Sequence, residues 1–197
     1  MQHLGIFLFD GVEVLDFAGP FEVFSVASQL SDYQELKVFT FGAEQRLIRT
    51  VNGLQVLPDF SLKNFPLCDF LVIPGGEGSK LVIQKTEVLD SLKTSIDKTQ
   101  WTMSVCSGSR ILGKLGYLDA KPYCTHHSVF DSMKEVTPTG YPKPELRFVQ
   151  SSERIYTAAG ISAGIDLSLF LVEKTFGIDL ARQTAEYMEY LPYLNQT

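Results

Sequence analysis

Short, nearly continuous apolar runs recur along the chain, and they predict strands that are covered on both faces. The clearest of these runs lie at residues 4–9, 69–74 and 101–105. The remaining predicted strands are 36–41, 123–125, 146–150 and 154–158, together with a hairpin over 46–58 around Asn52-Gly53.

Segments with apolar residues at helical spacing separate these runs. The first is expected to continue through 21–27, with Pro20 in its first turn. The other predicted helices are 87–98, a short one ending near Leu115, 129–134, one with the stripe Ile165, Leu169, Val172 and Phe176, and 179–190. Strands that alternate with helices predict an α/β fold with a mainly parallel sheet, here as a single domain over residues 1–197.

The charge and the apolar content of the chain limit the kinds of partner that it can bind. The 197 residues carry a net charge of −6 and no Lys/Arg cluster, which argues against nucleic acid or an anionic membrane as a partner. No apolar run reaches the roughly 18 residues that a membrane span needs. The first residues lack a basic segment and a small-residue cleavage site, so we expect a cytoplasmic protein.

The cysteines and histidines are few and widely spaced. Cys68, Cys106 and Cys124 form neither a disulfide framework nor a CxxC metal motif. The three histidines do not form an HExxH motif. We therefore expect no metal and no cofactor.

One stretch, residues 101–112, reads as a strand, a tight turn and a helix, with Cys106 at the corner. This is the pattern of a nucleophile elbow, in which a sharp turn exposes a reactive atom at the carboxyl edge of a sheet. Free amides and the helix dipole would favour a thiolate there. The alternative is a buried cysteine that packs as a small apolar residue, which is the commoner role of a free cysteine.

Two other features follow predicted strands and should reach the same edge of the sheet. Asp16 is either an ordinary acid in the first turn of a helix or a partner that shares a proton with Cys106. Gly75-Gly76 is either a plain strand-to-helix turn or a source of backbone amides for an oxyanion. The segment 73–80 fits neither a P-loop nor a Rossmann fingerprint.

His126 and His127 follow Cys106 by about twenty residues, and a thiol–imidazole pair is a common way to activate cysteine. Because the two are adjacent, at most one can face the site. The alternative is a histidine at a strand end that is satisfied by a backbone carbonyl.

Several of these segments together resemble the ThiJ/PfpI superfamily. The matching segments are Val14-Leu15-Asp16-Phe17-Ala18-Gly19-Pro20-Phe21-Glu22-Val23-Phe24, Ile73-Pro74-Gly75-Gly76, Val105-Cys106-Ser107-Gly108, Thr125-His126 and Ala159-Gly160-Ile161-Ser162-Ala163-Gly164-Ile165-Asp166. The resemblance implies a flavodoxin-like three-layer α/β/α sandwich, commonly a homodimer. Glutamine amidotransferases, which have a similar fold, complete a cysteine triad with a late His-x-Glu, and no histidine follows His127 here.

Within the superfamily, the aspartate before Gly-Pro and the Gly-Ile-x-Ala-Gly-Ile-Asp segment look most like isonitrile hydratases, and they occur also in the ligand domains of AraC-type regulators. The resemblance implies a small-molecule substrate, Cys106 as nucleophile and Asp16 as its acid partner. The residues that it places around the substrate are Gly75, Gly76, Ser107 and His126. Thiolate attack on the isonitrile carbon, proton delivery from Asp16 and hydration of the thioimidate would release an N-formamide.

The chain departs from the family patterns in two segments. Ser107 replaces the threonine that usually follows the nucleophile, and it also replaces the histidine of peptidase members, so we do not expect peptidase activity. Cys124-Thr125-His126-His127 stands where the family has Thr-Thr-His-Trp.

Three other functions stay open. A glyoxalase or deglycase would use a glutamate where Asp16 stands, together with His126. A ligand-sensing domain would turn over nothing, and the end of the chain shows no basic recognition helix for DNA. A redox sensor would oxidise Cys106.

Overall fold

The computed structural model describes residues 1–190, and the C-terminal segment 191–197, where the predicted domain ends, lies outside the described residues. The strands are β1 Gln2–Leu8, β2 Leu36–Gly42, β3 Ile48–Arg49, β4 Gln55–Val56, β5 Phe60–Ser61, β6 Phe70–Ile73, β7 Trp101–Ser104, β8 Pro122–Tyr123, β9 Tyr141–Pro142, β10 Phe148–Gln150 and β11 Ile155–Ala158. The α-helices are α1 Val14–Leu30, α2 Ser79–Val82, α3 Thr86–Ile96, α4 Ser109–Lys114, α5 Phe130–Val136, α6 Ala163–Phe176 and α7 Ile178–Tyr187.

A seven-stranded sheet in the order β10-β11-β7-β6-β1-β2-β5 forms the centre of the molecule. Every neighbouring pair is parallel except β10 and β11 at one edge. The mainly parallel α/β sheet expected from the sequence is therefore confirmed. The predicted hairpin over 46–58 is also confirmed, since β3 and β4 pair antiparallel on either side of Asn52-Gly53.

The strand order places the helices in two layers. The chain moves from β1 to β2 in one direction and from β6 through β7 to β11 in the other. Because crossovers between parallel strands are right-handed, α1 lies on one face and α2 to α5 lie on the opposite face. Helices α6 and α7 return to pack against α1, which completes the three-layer sandwich.

The core is built on the strands at the centre of the sheet, whose side chains are buried on both faces. Trp101 stacks on Phe70 at a ring-centroid distance of 4.4 Å, and Phe24 of α1 lies 5.6 Å from Trp101. This aromatic cluster fixes β6 and β7 against α1. The carboxyl ends of β6 and β7, together with the first turn of α1, carry the candidate site.

Helix α1 starts earlier than the sequence predicted. It begins at Val14, so Pro20 lies in the interior of the helix rather than in its first turn. Proline has no N–H to donate to the carbonyl of Asp16, four residues earlier. Packing compensates, because Gly19 and Pro20 are both buried and a Cβ on Gly19 would lie only 3.0 Å from Ile165 of α6.

The predicted strand at 123–125 is shorter and shifted, since β8 covers Pro122–Tyr123. Within residues 1–190, no helix has the length and apolar character needed to cross a membrane.

Candidate active site

The turn after β7 has the geometry of the predicted elbow. A 3₁₀ turn, Cys106–Gly108, leads directly into α4. Cys106 has φ of 56°, a left-handed conformation that a non-glycine residue rarely adopts outside a constrained site. Its amide donates to the Ala159 carbonyl at 2.9 Å, which holds the corner against the loop after β11. A Cβ on Gly108 would lie 2.2 Å from the Ile73 carbonyl oxygen, so only glycine fits there.

Asp16 in the first turn of α1 lies beside this cysteine and is fully buried. Its Oδ2 accepts the Gly75 amide at 2.9 Å, and its carboxyl is near enough to the Cys106 thiol for each group to shift the pKa of the other. Its Oδ1 has no partner among the described residues. Burial raises the pKa of Asp16 to about 7, although the bonds from Gly75 and Cys106 work in the opposite direction. A carboxyl group with a pKa near neutrality can both accept and return a proton.

The protonation of Cys106 differs from the thiolate expected at rest. The side chain is 8 % exposed, and burial, followed by the negative charge of Asp16, raises the pKa of its thiol to about 12. The backbone amides of Ser107 and Ile161 face the sulfur and favour the thiolate, but they do not outweigh these two effects. Burial and the charge of Asp16 therefore favour the neutral thiol, and Asp16 is the neighbouring group that can take its proton.

Gly75, Gly76 and Ser107 lie at the elbow, but the two glycine amides and the Ser107 hydroxyl already have hydrogen-bond partners. The Gly75 amide is used by Asp16, and the Gly76 amide donates to Ser107 Oγ at 2.8 Å. Ser107 Oγ also donates to the Gly76 carbonyl at 3.2 Å. The two glycine amides therefore position the acid and the elbow and are not free oxyanion donors, which corrects the expectation from sequence. The amides that do face the sulfur belong to Ser107 and Ile161.

Ser128 engages Nδ1 of His126, and among the described residues no hydrogen bond joins this imidazole to Cys106. The Nδ1 atom lies 2.8 Å from the Ser128 hydroxyl and accepts the Ser128 amide at 3.3 Å. A Cβ on Gly160 would lie 2.3 Å from His126 Cδ2, so the ring packs directly on this glycine. Burial, followed by the neighbouring His127, lowers the pKa of His126. The imidazole is therefore neutral near pH 7.

A surface cavity of about 330 Å³ adjoins the elbow. Ala159 and Ile161 line it, and their backbone groups contact Cys106. The other lining residues are Thr125, His126, His127, Phe130, Pro144, Arg147, Gly160 and Ser162. The cavity combines two imidazole rings, an aromatic ring and a guanidinium, which suits a small molecule with both apolar and polar parts.

Residues 1–190 bring together no group of histidine, cysteine or acidic side chains suited to a metal ion. Cys68, Cys106 and Cys124 are all buried free thiols.

The model of the DJ-1/PfpI family matches residues 3–174. The chain belongs to the DJ-1/PfpI family. This result confirms the resemblance drawn from the motifs, and it covers both Asp16 and Cys106.

Two curated relatives of this DJ-1/PfpI protein differ in function. The isonitrile hydratase of Pseudomonas putida is 29% identical over 190 residues, which cover 96% of this chain and 79% of that protein. The HTH-type transcriptional regulator GbdR of Pseudomonas aeruginosa is 25% identical over 189 residues, which cover 96% of this chain and 51% of that protein. The chain thus spans about half the length of this regulator.

Among solved structures, a THiJ/PfpI family protein from Pseudomonas syringae superposes with a TM-score of 0.86 at 25% identity. The match covers 96% of this chain and 75% of that one. The flavodoxin-like sandwich expected from the motifs is therefore confirmed.

Sequence reasoning missed the role of Ile161. Its amide reaches Cys106 because Ile161 has φ of 46°, a conformation that nothing in the residue type suggests. In the sequence, only the nearby Gly160 and Gly164 indicate that the loop between β11 and α6 packs tightly at the site.

Proposed function

We propose that this DJ-1/PfpI protein is a cysteine-dependent hydratase, a lyase that converts an isonitrile and water into an N-formamide. One observation carries the proposal: a fully buried carboxyl, Asp16, lies beside a thiol at a strained elbow, acts on the pKa of that thiol and itself has a pKa near 7. Similarity to an isonitrile hydratase over nearly the whole chain supports the choice of substrate.

The first step forms a carbon–sulfur bond. The sulfur of Cys106 attacks the electrophilic terminal carbon of R–N≡C while Asp16 takes the thiol proton. Asp16 then delivers this proton to the same carbon, which gives the thioimidate Cys–S–CH=N–R. The proton only moves between two neighbouring groups, so no further acid or base is needed.

The second step is hydrolysis. A water molecule, deprotonated by Asp16, adds to the thioimidate carbon, and the carbon–sulfur bond then breaks. Asp16 passes the first proton of the water to the nitrogen; the remaining O–H proton of the adduct goes to the departing sulfur as the C=O bond forms, and R–NH–CHO is released. The amides of Ser107 and Ile161 stabilise the sulfur as it leaves with negative charge.

We also propose that the protein works in the cytoplasm as a homodimer. Three free thiols suit a reducing compartment. The hairpin β3–β4 exposes four large apolar side chains, Leu47, Val51, Leu54 and Leu57, and an exposed apolar surface of this kind suits burial against a second copy.

The test compares two reactions on the same purified protein: N-formamide formation from an aryl isocyanide, and consumption of methylglyoxal. We expect formamide formation that survives His126→Ala, because His126 is bonded to Ser128. Methylglyoxal consumption that depends on His126 would assign a glyoxalase instead. If the protein turns over neither compound but binds a small ligand tightly, it would be assigned as a ligand-sensing domain related to the AraC-type regulators.

A further inference from the structure

Arg110 is a buried cation that forms no ion pair among the described residues, and the acidic charge that acts on it most strongly is that of Glu77. The residue is 5 % exposed, and among residues 1–190 no carboxylate forms an ion pair with it. Its Nη1 donates to Ser79 Oγ and its Nη2 donates to Ser132 Oγ, both at 3.1 Å. A buried charge whose hydrogen-bond acceptors are two neutral hydroxyl groups, with Glu77 beyond ion-pair distance, is costly, so its presence four residues after the nucleophile needs a reason beyond packing.

The Ser79 hydroxyl continues from Arg110 toward the elbow. A guanidinium can only donate, so Ser79 Oγ accepts from Arg110 and keeps its own proton for another partner. That partner is Ser107 Oγ, at 3.4 Å. Ser79 is fully buried, so no solvent competes for this proton.

Ser107 completes the chain at the nucleophile. Its Oγ accepts from Ser79 and from the Gly76 amide, and it donates to the Gly76 carbonyl. The amide of Ser107 faces the sulfur of Cys106, and the Gly75 amide next to Gly76 holds Asp16. The chain from Arg110 therefore ends on the two segments that carry the nucleophile and the acid.

We propose that Arg110 is a positioning residue: through Ser79 it fixes the Ser107 hydroxyl, and with it the turn that holds Cys106 against Asp16. The inference rests on the proposed function only in taking Cys106 as the nucleophile. It does not depend on which substrate the thiol attacks.

The test measures alkylation of Cys106 by iodoacetamide, followed by mass spectrometry on the peptide that contains this residue. Arg110→Met removes the donor, and Ser79→Ala breaks the chain at its middle. We expect each variant to slow alkylation about tenfold. This is the effect of losing one oriented hydrogen bond from the chain that positions the reacting thiol. The double variant should be no slower than either single one, because both remove the same chain.

Two matched variants separate this role from a general effect on folding. Arg110→Lys should restore most of the rate, since an ammonium can donate to Ser79. Ser132→Ala removes the other hydrogen bond of Arg110 and should stay within about twofold of the wild-type rate. If Arg110→Met does not fold, the alkylation rates of Ser79→Ala and Ser132→Ala are compared instead, and a slower rate in Ser79→Ala alone supports the positioning role.

The proposal is overturned if Ser79→Ala alkylates at the wild-type rate, if Ser132→Ala slows alkylation as much as Ser79→Ala, or if the effects of Arg110→Met and Ser79→Ala simply add. With isonitrile as substrate, the same variants should lower kcat and leave KM unchanged. Absence of isonitrile turnover in the wild type would remove the proposed function, while the alkylation rates would still decide the role of Arg110.

Discussion

At Asp16 the same burial that makes the chemistry available also destabilises the fold. The folded protein holds this carboxyl with a pKa of about 7, whereas the unfolded chain releases its proton near pH 4. Between these two values the folded state binds a proton that the unfolded state has lost. Wild-type stability therefore falls as the pH rises through this window, and the full cost is present above pH 7.

Asp16→Asn removes this cost and keeps an oxygen that can accept the Gly75 amide. We expect the variant to be more stable than the wild type at pH 8, by at most about 4 kcal/mol, with the difference nearly gone at pH 4. Thermal unfolding of both proteins at several pH values measures this. A variant that is less stable than the wild type at pH 8 would show that Asp16 is not held as the geometry indicates.

Residue types and positions after strands predict Asp16 and Cys106 at the same edge of the sheet, and the family resemblance was needed to predict them as partners. They could not predict the protonation of Cys106, because burial and the charge of Asp16 outweigh the amides that favour a thiolate. Nor could they predict Arg110, which precedes two apolar residues of α4 and has no sequence signature of a buried cation. Such features depend on contacts between α2, α4 and α5 that no local pattern encodes.

At the scale of elements, the elbow depends on how closely α4 approaches β6. Gly108 has ordinary helical dihedral angles, so its requirement for glycine is one of space alone. The β-carbon of an alanine would have to displace backbone atoms, because its nearest neighbours are the carbonyl oxygens of Ile73 and Pro74. The position of Cys106 would shift with them.

We expect Gly108→Ala to destabilise the protein by about 3 kcal/mol and to abolish turnover. Gly113→Ala in the same helix is the matched control, since a Cβ there meets only side-chain atoms at 3.1 Å or more. Chemical denaturation of the two variants provides the comparison. Equal stability of the two variants would contradict the close approach at Gly108.

Most of the long elements could be predicted, and the short ones could not. The central strands and helices α3, α6 and α7 follow their apolar patterns, whereas β5 and β9 have two residues each and no pattern of their own. Pro20 was placed too early in α1 because a proline normally marks a first turn, and tertiary packing against α6 overrides that preference.

At the scale of the whole molecule, the proposed homodimer gives the exposed apolar hairpin β3–β4 a partner. Leu54→Glu places a charge in this surface, and we expect it to convert the dimer to a monomer or to weaken the dimer at least tenfold. Leu67→Glu, on another exposed loop, is the control and should leave the mass unchanged. Sedimentation of both variants measures the effect, and a wild type that is monomeric at high concentration would remove the proposal.

The central claim is that Cys106 and Asp16 act together on an isonitrile. The most direct measurement is the rate of N-formamide formation by the wild type, Cys106→Ala and Asp16→Asn, with Cys124→Ala as a control for loss of a buried thiol. We expect turnover by the wild type and the control, none by Cys106→Ala, and a loss of about 100-fold or more in Asp16→Asn. Formamide formation that persists in Cys106→Ala, or that is unchanged in Asp16→Asn, would contradict it.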